Sequence, residues 1–189
     1  MVIANLLGVF LFFFFLWKRL KDDYHYEKVF NLAVIILIGL SLGFFTSLKF
    51  FSDYWFWLEI VGVALGFTFV IKNQKIKFIE SFEGLIIGLL PWLGLYYLAN
   101  AILTYNLISF LYFWLVSVSV FLFFFFDTQY KKFTWYKSGR VGFSGIATLA
   151  IFFVLRAGLF YNNTVELILS SVAALLLIIL LYNLSRNND

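Results

Sequence analysis

The feature that most constrains this chain is a series of apolar runs long enough to cross a lipid bilayer. A membrane-spanning helix needs about 20 apolar residues, and seven segments approach that length. They are 2–17, 29–51, 54–71, 82–104, 106–126, 141–160 and 165–184. Because lipid offers no hydrogen-bond partner to free backbone groups, each segment is predicted to be helical.

The composition favours the same class of protein. Of the 189 residues, 63% are apolar and 13% are charged, whereas soluble domains are about 45–50% apolar and about 25% charged. So few charges could not cover a water-exposed surface. Since nearly every residue falls in a span or a short connection, we expect one polytopic transmembrane domain over residues 1–189.

The distribution of Lys and Arg predicts an orientation, because cytoplasmic connections are enriched in both. With the N-terminus outside, 12 of the 14 cationic residues fall on the cytoplasmic side. These 12 are Lys18, Arg19, Lys21, Lys28, Lys72, Lys75, Lys77, Lys131, Lys132, Lys137, Arg140 and Arg186. The other two, Lys49 and Arg156, lie near predicted outer helix ends. We therefore predict an all-α membrane protein of about seven transmembrane helices, with its N-terminus outside and its C-terminus cytoplasmic.

Several site types are excluded by residue content. The chain has no cysteine, and its single histidine, His25, stands among charged residues. A disulfide framework, a thiolate metal site, a cysteine nucleophile and a multi-histidine metal site are therefore excluded. No metal and no cofactor are expected. Nucleic-acid binding is not expected either, because the membrane orientation already accounts for the basic connections.

Glycines four residues apart recur in three consecutive segments, as Gly39/Gly43, Gly62/Gly66 and Gly84/Gly88. Such pairs let helix backbones approach closely in a membrane. They predict that helices two to four form a tight inner bundle, either as packing alone or around a substrate groove. Pro91 should kink the fourth helix near Leu90.

Aromatic residues at the predicted span boundaries indicate interface anchors. They are Trp55, Trp57, Trp135 and Tyr136. The basic and aromatic connection 131–140 should favour an anionic leaflet.

Polar groups within apolar segments indicate where function is to be sought, because they are costly in a membrane. Arg156 is the clearest case, since four apolar residues flank it on each side. The alternative is an arginine that extends to the outer headgroups. Lys49, Glu59, Asn100 and Glu166 are predicted at a similar depth. Arg156 and Lys49 could hold a lipid phosphate, with Glu59 or Glu166 as counter-charge or base. The competing interpretation is a set of ordinary interfacial charges.

The order of these features resembles that of a known family. They are the first helix ending in Lys18-Arg19, the glycines Gly39, Gly43, Gly62 and Gly66, the basic connection 72–77, an acidic start to helix four, and the stretch from Gly142-Phe143 to Arg156. The chain resembles the bacterial prolipoprotein diacylglyceryl transferases over most of its length. The resemblance implies a seven-helix enzyme of the plasma (inner) membrane that moves diacylglyceryl from phosphatidylglycerol to the cysteine of a lipoprotein signal peptide.

The chain also departs from that family. Gly43-Phe44-Phe45 stands where the family has Gly-Ala-Arg, and Glu59 or Ile60 stands near its histidine position. The stretch 93–97 lacks the arginine and asparagine of the family signature, and Tyr112-Phe113 replaces a tyrosine-glutamate pair. Arg156 remains as the single candidate catalytic residue. Because removing one transition-state donor costs about 10²–10³ in rate, the expectation is phospholipid binding with weak or lost catalysis.

Two other classes of function are open. The first is a non-enzymatic membrane scaffold or partner subunit. The second is a small transporter or channel, which would show an internal repeat or broken helices; apart from Pro91, the sequence shows neither.

Overall fold

The computed structural model describes residues 1–129 and 142–186. Within these ranges it contains seven α-helices, one short 3₁₀ turn at Ser52–Tyr54 and no strand. The helices are α1 (Val2–Leu20), α2 (Tyr26–Phe50), α3 (Trp55–Gln74), α4 (Phe78–Thr104), α5 (Leu107–Gln129), α6 (Phe143–Leu159) and α7 (Thr164–Arg186).

The prediction of an all-helical chain is confirmed over these ranges, and the helices are consistent with a membrane bundle. Six of the helical stretches in the described ranges have the length and apolar composition needed to cross a membrane, the third of them including the 3₁₀ turn. The remaining helix, α6, is also apolar but has 17 residues. The basic connection 131–140, with Trp135 and Tyr136, lies outside the described residues.

The chain divides into two compact units. One comprises residues 1–15 together with the described residues from 82 onward, and the other comprises residues 16–81. In the second unit, α2 and α3 pack through their glycines. Gly39 lies directly against Gly62, and Gly43 lies against the backbone of Leu58 and Glu59. This part of the predicted glycine packing is confirmed.

The glycines of α4 belong to the first unit. Gly88 lies against Phe12 of α1, so its close contact is with the first helix. The prediction that helices two to four form one inner bundle stays a prediction. The helix α4 runs without interruption through Pro91, and Trp92 donates its indole N–H to Asn5 Oδ1 at 3.3 Å.

The helix α6 is the most deeply enclosed element of this unit, with 11 of its 17 residues buried. At its N-terminal end, Phe143 and Ala147 pack against Phe126 of α5 and against Leu181 and Leu184 of α7. The buried residues of α7 are Glu166, Ser170 and Ala174, which recur every four residues and so form one stripe. This packing positions the C-terminal end of α6 beside the N-terminal end of α7.

Candidate functional site

The turn between α6 and α7 brings two charged residues together. The helix α6 ends where the Phe160 N–H donates to the carbonyl oxygen of Arg156 at 3.1 Å. Asn163 then caps α7, because its Oδ1 accepts from the backbone N–H of Glu166 at 3.3 Å. Arg156 therefore stands in the last turn of one helix and Glu166 in the first turn of the next. Each charge suits the dipole of its own helix end.

These two side chains form a buried ion pair. The Arg156 Nη2 donates to the Glu166 Oε2 at 2.9 Å, and the exposed fractions of the two side chains are 2% and 7%. In a low-dielectric interior such a pair is held together strongly, although burying both charges is itself costly. The alternative in which Arg156 extends toward an aqueous surface does not fit this geometry.

Aromatic rings enclose the guanidinium. Its central carbon lies 4.8 Å from the ring centroid of Phe160 and 5.4 Å from that of Tyr112. Tyr112 in turn stacks on Tyr97 of α4, with centroids 4.8 Å apart and planes 17° apart. The faces of aromatic rings attract cations, most strongly where water is excluded. We call the group Arg156, Glu166, Tyr112, Phe160 and Tyr97 the arginine site.

A further polar atom in the arginine site is the hydroxyl of Tyr112. It is buried and has no hydrogen-bond partner within residues 1–129 and 142–186. Buried hydroxyls are normally satisfied by protein or by ordered water. An ordered water or a polar ligand atom would satisfy this oxygen.

Asn100, another predicted residue, lies in the same unit on α4, three residues beyond Tyr97. Its Nδ2 donates to Ser109 Oγ of α5 at 2.7 Å. Since residues three apart share a helix face, Asn100 lies next to Tyr97 on the side that contacts α5. Its amide holds the two helices together there.

The other two predicted residues, Lys49 and Glu59, belong to the unit formed by residues 16–81. Lys49 is exposed at the end of α2, with its Nζ 5.2 Å from the ring centroid of Phe50. Glu59 is half-buried on α3, where its backbone lies against Gly43. Of the predicted residues, the structure thus places Arg156 and Glu166 in direct contact.

A buried acid missed by the sequence analysis is Glu83 of α4, which is 1% exposed. Its Oε1 accepts from the backbone N–H of Gly145, in the first turn of α6, at 3.4 Å. The residue before α6 is Gly142, which has a φ of 90° and cannot supply a side-chain cap. The carboxylate of Glu83 therefore caps α6 from another helix, where the helix dipole favours negative charge.

The sequence contains a signal for two of the residues that its analysis missed, Glu83 and Phe160, and none for Tyr112. Glu83 stands at the start of an apolar run, where a charge is costly unless it is satisfied inside the protein. Phe160 follows Arg156 by four residues, the spacing at which helical neighbours meet. Tyr112 carried no comparable signal, because its contact with Arg156 joins different helices.

Chemically, the guanidinium in the arginine site is a hydrogen-bond donor of the kind that suits a phosphate. A guanidinium fixed by a carboxylate and by two rings is already oriented, so little conformational entropy is lost when a phosphate binds. Its candidate base, Glu166, is committed to Arg156. No protein-family model matches the chain, and neither the curated proteins nor the solved structures include a match.

Proposed function

We propose that this chain is a membrane protein of the prolipoprotein diacylglyceryl transferase type that binds a phospholipid headgroup at the arginine site, with catalysis weak or lost. The observation that carries the proposal is the buried guanidinium of Arg156, held 2.9 Å from Glu166 and covered by Tyr112 and Phe160. A buried cation among apolar helices is costly and is a marker of function in membrane proteins. The planar guanidinium fork matches a phosphate diester.

The location of the proposed site follows from the proposed orientation. With the N-terminus outside, the C-terminal end of α6 lies toward the outer leaflet, where lipids could reach Arg156. The distribution of Lys and Arg supports this orientation. The family resemblance supports phosphatidylglycerol as the lipid, a lipoprotein signal peptide as a second partner, and the bacterial plasma membrane as the location.

Weak or absent catalysis follows from the residues in the arginine site. A transfer to a thiol needs a base to take the thiol proton. The arginine site contains no imidazole, and its one carboxylate, on Glu166, is engaged by Arg156. These observations support a binding function over an efficient transferase.

The second candidate is a non-enzymatic scaffold or partner subunit. It is favoured by the closed geometry of the ion pair, in which the charges of Arg156 and Glu166 satisfy each other within the chain. On this interpretation the pair joins α6 to α7 and needs no lipid. The two candidates differ in whether phosphate binding depends on Arg156.

The first experiment measures lipid binding to purified protein by native mass spectrometry, with phosphatidylglycerol and with diacylglycerol, which lacks the phosphate. The test variant is Arg156→Gln with Glu166→Gln, because it removes both charges and leaves no unpaired buried ion. The matched control is Arg186→Gln, which removes an exposed cation at the far end of α7.

Phosphatidylglycerol should bind the parent protein and the control with saturation, and the double variant at least tenfold more weakly. Diacylglycerol should bind all three alike. Equal phosphatidylglycerol binding by all three proteins would contradict the lipid-site proposal and favour the scaffold.

A second experiment tests catalysis. The protein in phosphatidylglycerol nanodiscs is mixed with a lipoprotein signal peptide, and the peptide mass is measured. A mass gain that disappears with Arg156→Ala would establish a transferase. No gain, with an active family enzyme in parallel, would remove the enzymatic part of the proposal and leave the binding part to the first experiment.

A further inference from the structure

One end of the unit formed by residues 16–81 gathers two connections that are distant in sequence. The α1–α2 connection contributes Tyr24, whose hydroxyl accepts from the backbone N–H of Lys77 in the α3–α4 connection at 3.0 Å. Lys28 Nζ also donates to the carbonyl oxygen of Gln74 at 3.5 Å. The end of α1, the start of α2 and the end of α3 therefore lie together.

This end carries an excess of positive charge. The stretches 18–28 and 72–80 contain four carboxylates, those of Asp22, Asp23, Glu27 and Glu80. They contain seven cations, which are Lys18, Arg19, Lys21, Lys28, Lys72, Lys75 and Lys77. Glu80 is held within the protein, because it accepts from the Tyr24 hydroxyl at 2.6 Å and from Lys77 Nζ at 3.0 Å. Besides Lys77, the exposed cations at this end are Lys18, Lys21, Lys28, Lys72 and Lys75. We call this set the cationic end.

Exposed aromatic residues border the cationic end. Trp17, Tyr26 and Phe78 have exposed fractions of 48%, 64% and 47%. The Lys21 Nζ lies 5.4 Å from the centroid of the Trp17 ring. Exposed aromatic rings at helix ends are typical of the level of the lipid headgroups. On that basis we expect the adjacent lysines to lie at the depth of the headgroup phosphates.

We propose that the cationic end is a binding surface for anionic phospholipid headgroups. The lysines stand on three different helix ends, so the surface can contact several headgroups of one leaflet at once. Each cation near an anionic leaflet adds attraction that salt weakens. This surface is distinct from the arginine site, which lies in the other unit, and it does not depend on the proposed function.

The test uses the full chain in vesicles of phosphatidylcholine that contain a minority of phosphatidylglycerol. Spin-labelled phosphatidylglycerol and spin-labelled phosphatidylcholine report how strongly each lipid associates with the protein. The test variant is Lys21→Gln with Lys72→Gln, one cation from each of two helix ends. The matched control is Lys49→Gln with Arg186→Gln, which also removes two exposed cations, neither at the cationic end.

The parent and the control should bind phosphatidylglycerol in preference to phosphatidylcholine. At low salt, the ratio of phosphatidylglycerol to phosphatidylcholine association should fall about fivefold for each cation that the test variant lacks. Raising the salt should reduce the preference of the parent toward that of the test variant. An equal preference in the test and control variants, or no salt dependence, would overturn the proposal. If the cationic end instead binds an acidic protein, the test and control variants would likewise show equal preference for phosphatidylglycerol. In the background of the Arg156→Gln, Glu166→Gln variant, which lacks the arginine site, Lys21→Gln with Lys72→Gln should cause the same loss of preference, so the two lipid proposals fail separately.

Discussion

Gly39 in α2 and Gly62 in α3 approach so closely that a methyl group on either Cα would overlap the carbonyl oxygen of the other. The contact is reciprocal and joins backbone to backbone, so no flexible side chain can move aside. In a membrane, where lipid tails are as apolar as the protein, close packing of this kind is a main source of helix association.

Gly62→Ala should therefore destabilise the protein, by about 1–3 kcal/mol as for an overpacked core. The measurement is unfolding in mixed detergent micelles, followed by tryptophan fluorescence. Gly158→Ala is the matched control, because a methyl group there would meet nothing within 4 Å. If the two variants unfold alike, the Gly39–Gly62 contact does not hold α2 and α3 together.

The Arg156–Glu166 pair should behave as one unit in a double-mutant cycle. Arg156→Gln or Glu166→Gln alone leaves one buried charge without its counter-charge, which costs about 3–5 kcal/mol. The double variant should lose clearly less stability than the sum of the two single changes, because residues in contact are not additive. Unfolding of the four proteins in the same detergent mixture measures this coupling. Strict additivity would show that the pair is not formed in solution.

The helices could be predicted from sequence because spanning a bilayer imposes a minimum apolar length. Their ends were less well predicted. The fourth segment was expected to begin at residue 82, but α4 begins at Phe78. The reason is local: Glu80 in the first turn is satisfied by Tyr24 and Lys77, so a polar stretch can be helical. A run of apolar residues does not reveal that such polar residues are hydrogen-bonded and can extend the helix.

The candidate site was predictable where its residues are close in sequence. Arg156 and Glu166 stand at either side of one short turn, and their contact follows from an antiparallel helix pair. Tyr112 and Glu83 reach α6 from other helices, through packing that no spacing encodes. The structure therefore adds these two residues, and it leaves Lys49 and Glu59 in the other unit.

Glu83 should stabilise the first turn of α6. Glu83→Gln removes the negative charge from the helix N-terminus and should cost about 1 kcal/mol. Backbone hydrogen exchange at the start of α6, measured by mass spectrometry, should become faster. Glu27→Gln is the control, because Glu27 is an exposed acid in the first turn of α2. Unchanged exchange at residues 143–146 would contradict a capping role for Glu83.

Tyr24 should titrate at unusually high pH. Its partial burial, and secondarily its hydrogen bond to Glu80, raise the pKa of Tyr24 from 10.0 to about 12. Because the folded state holds the phenol proton more tightly, the stabilisation is fully present below pH 10, the ordinary pKa. It is lost as the pH rises through about 12. The measurement is an alkaline titration of tyrosine absorbance in the parent and in Tyr24→Phe. The difference between the two titrations should show one tyrosine that ionises near pH 12. A midpoint near 10.0, the ordinary value for a tyrosine, would mean that Tyr24 does not join the two connections.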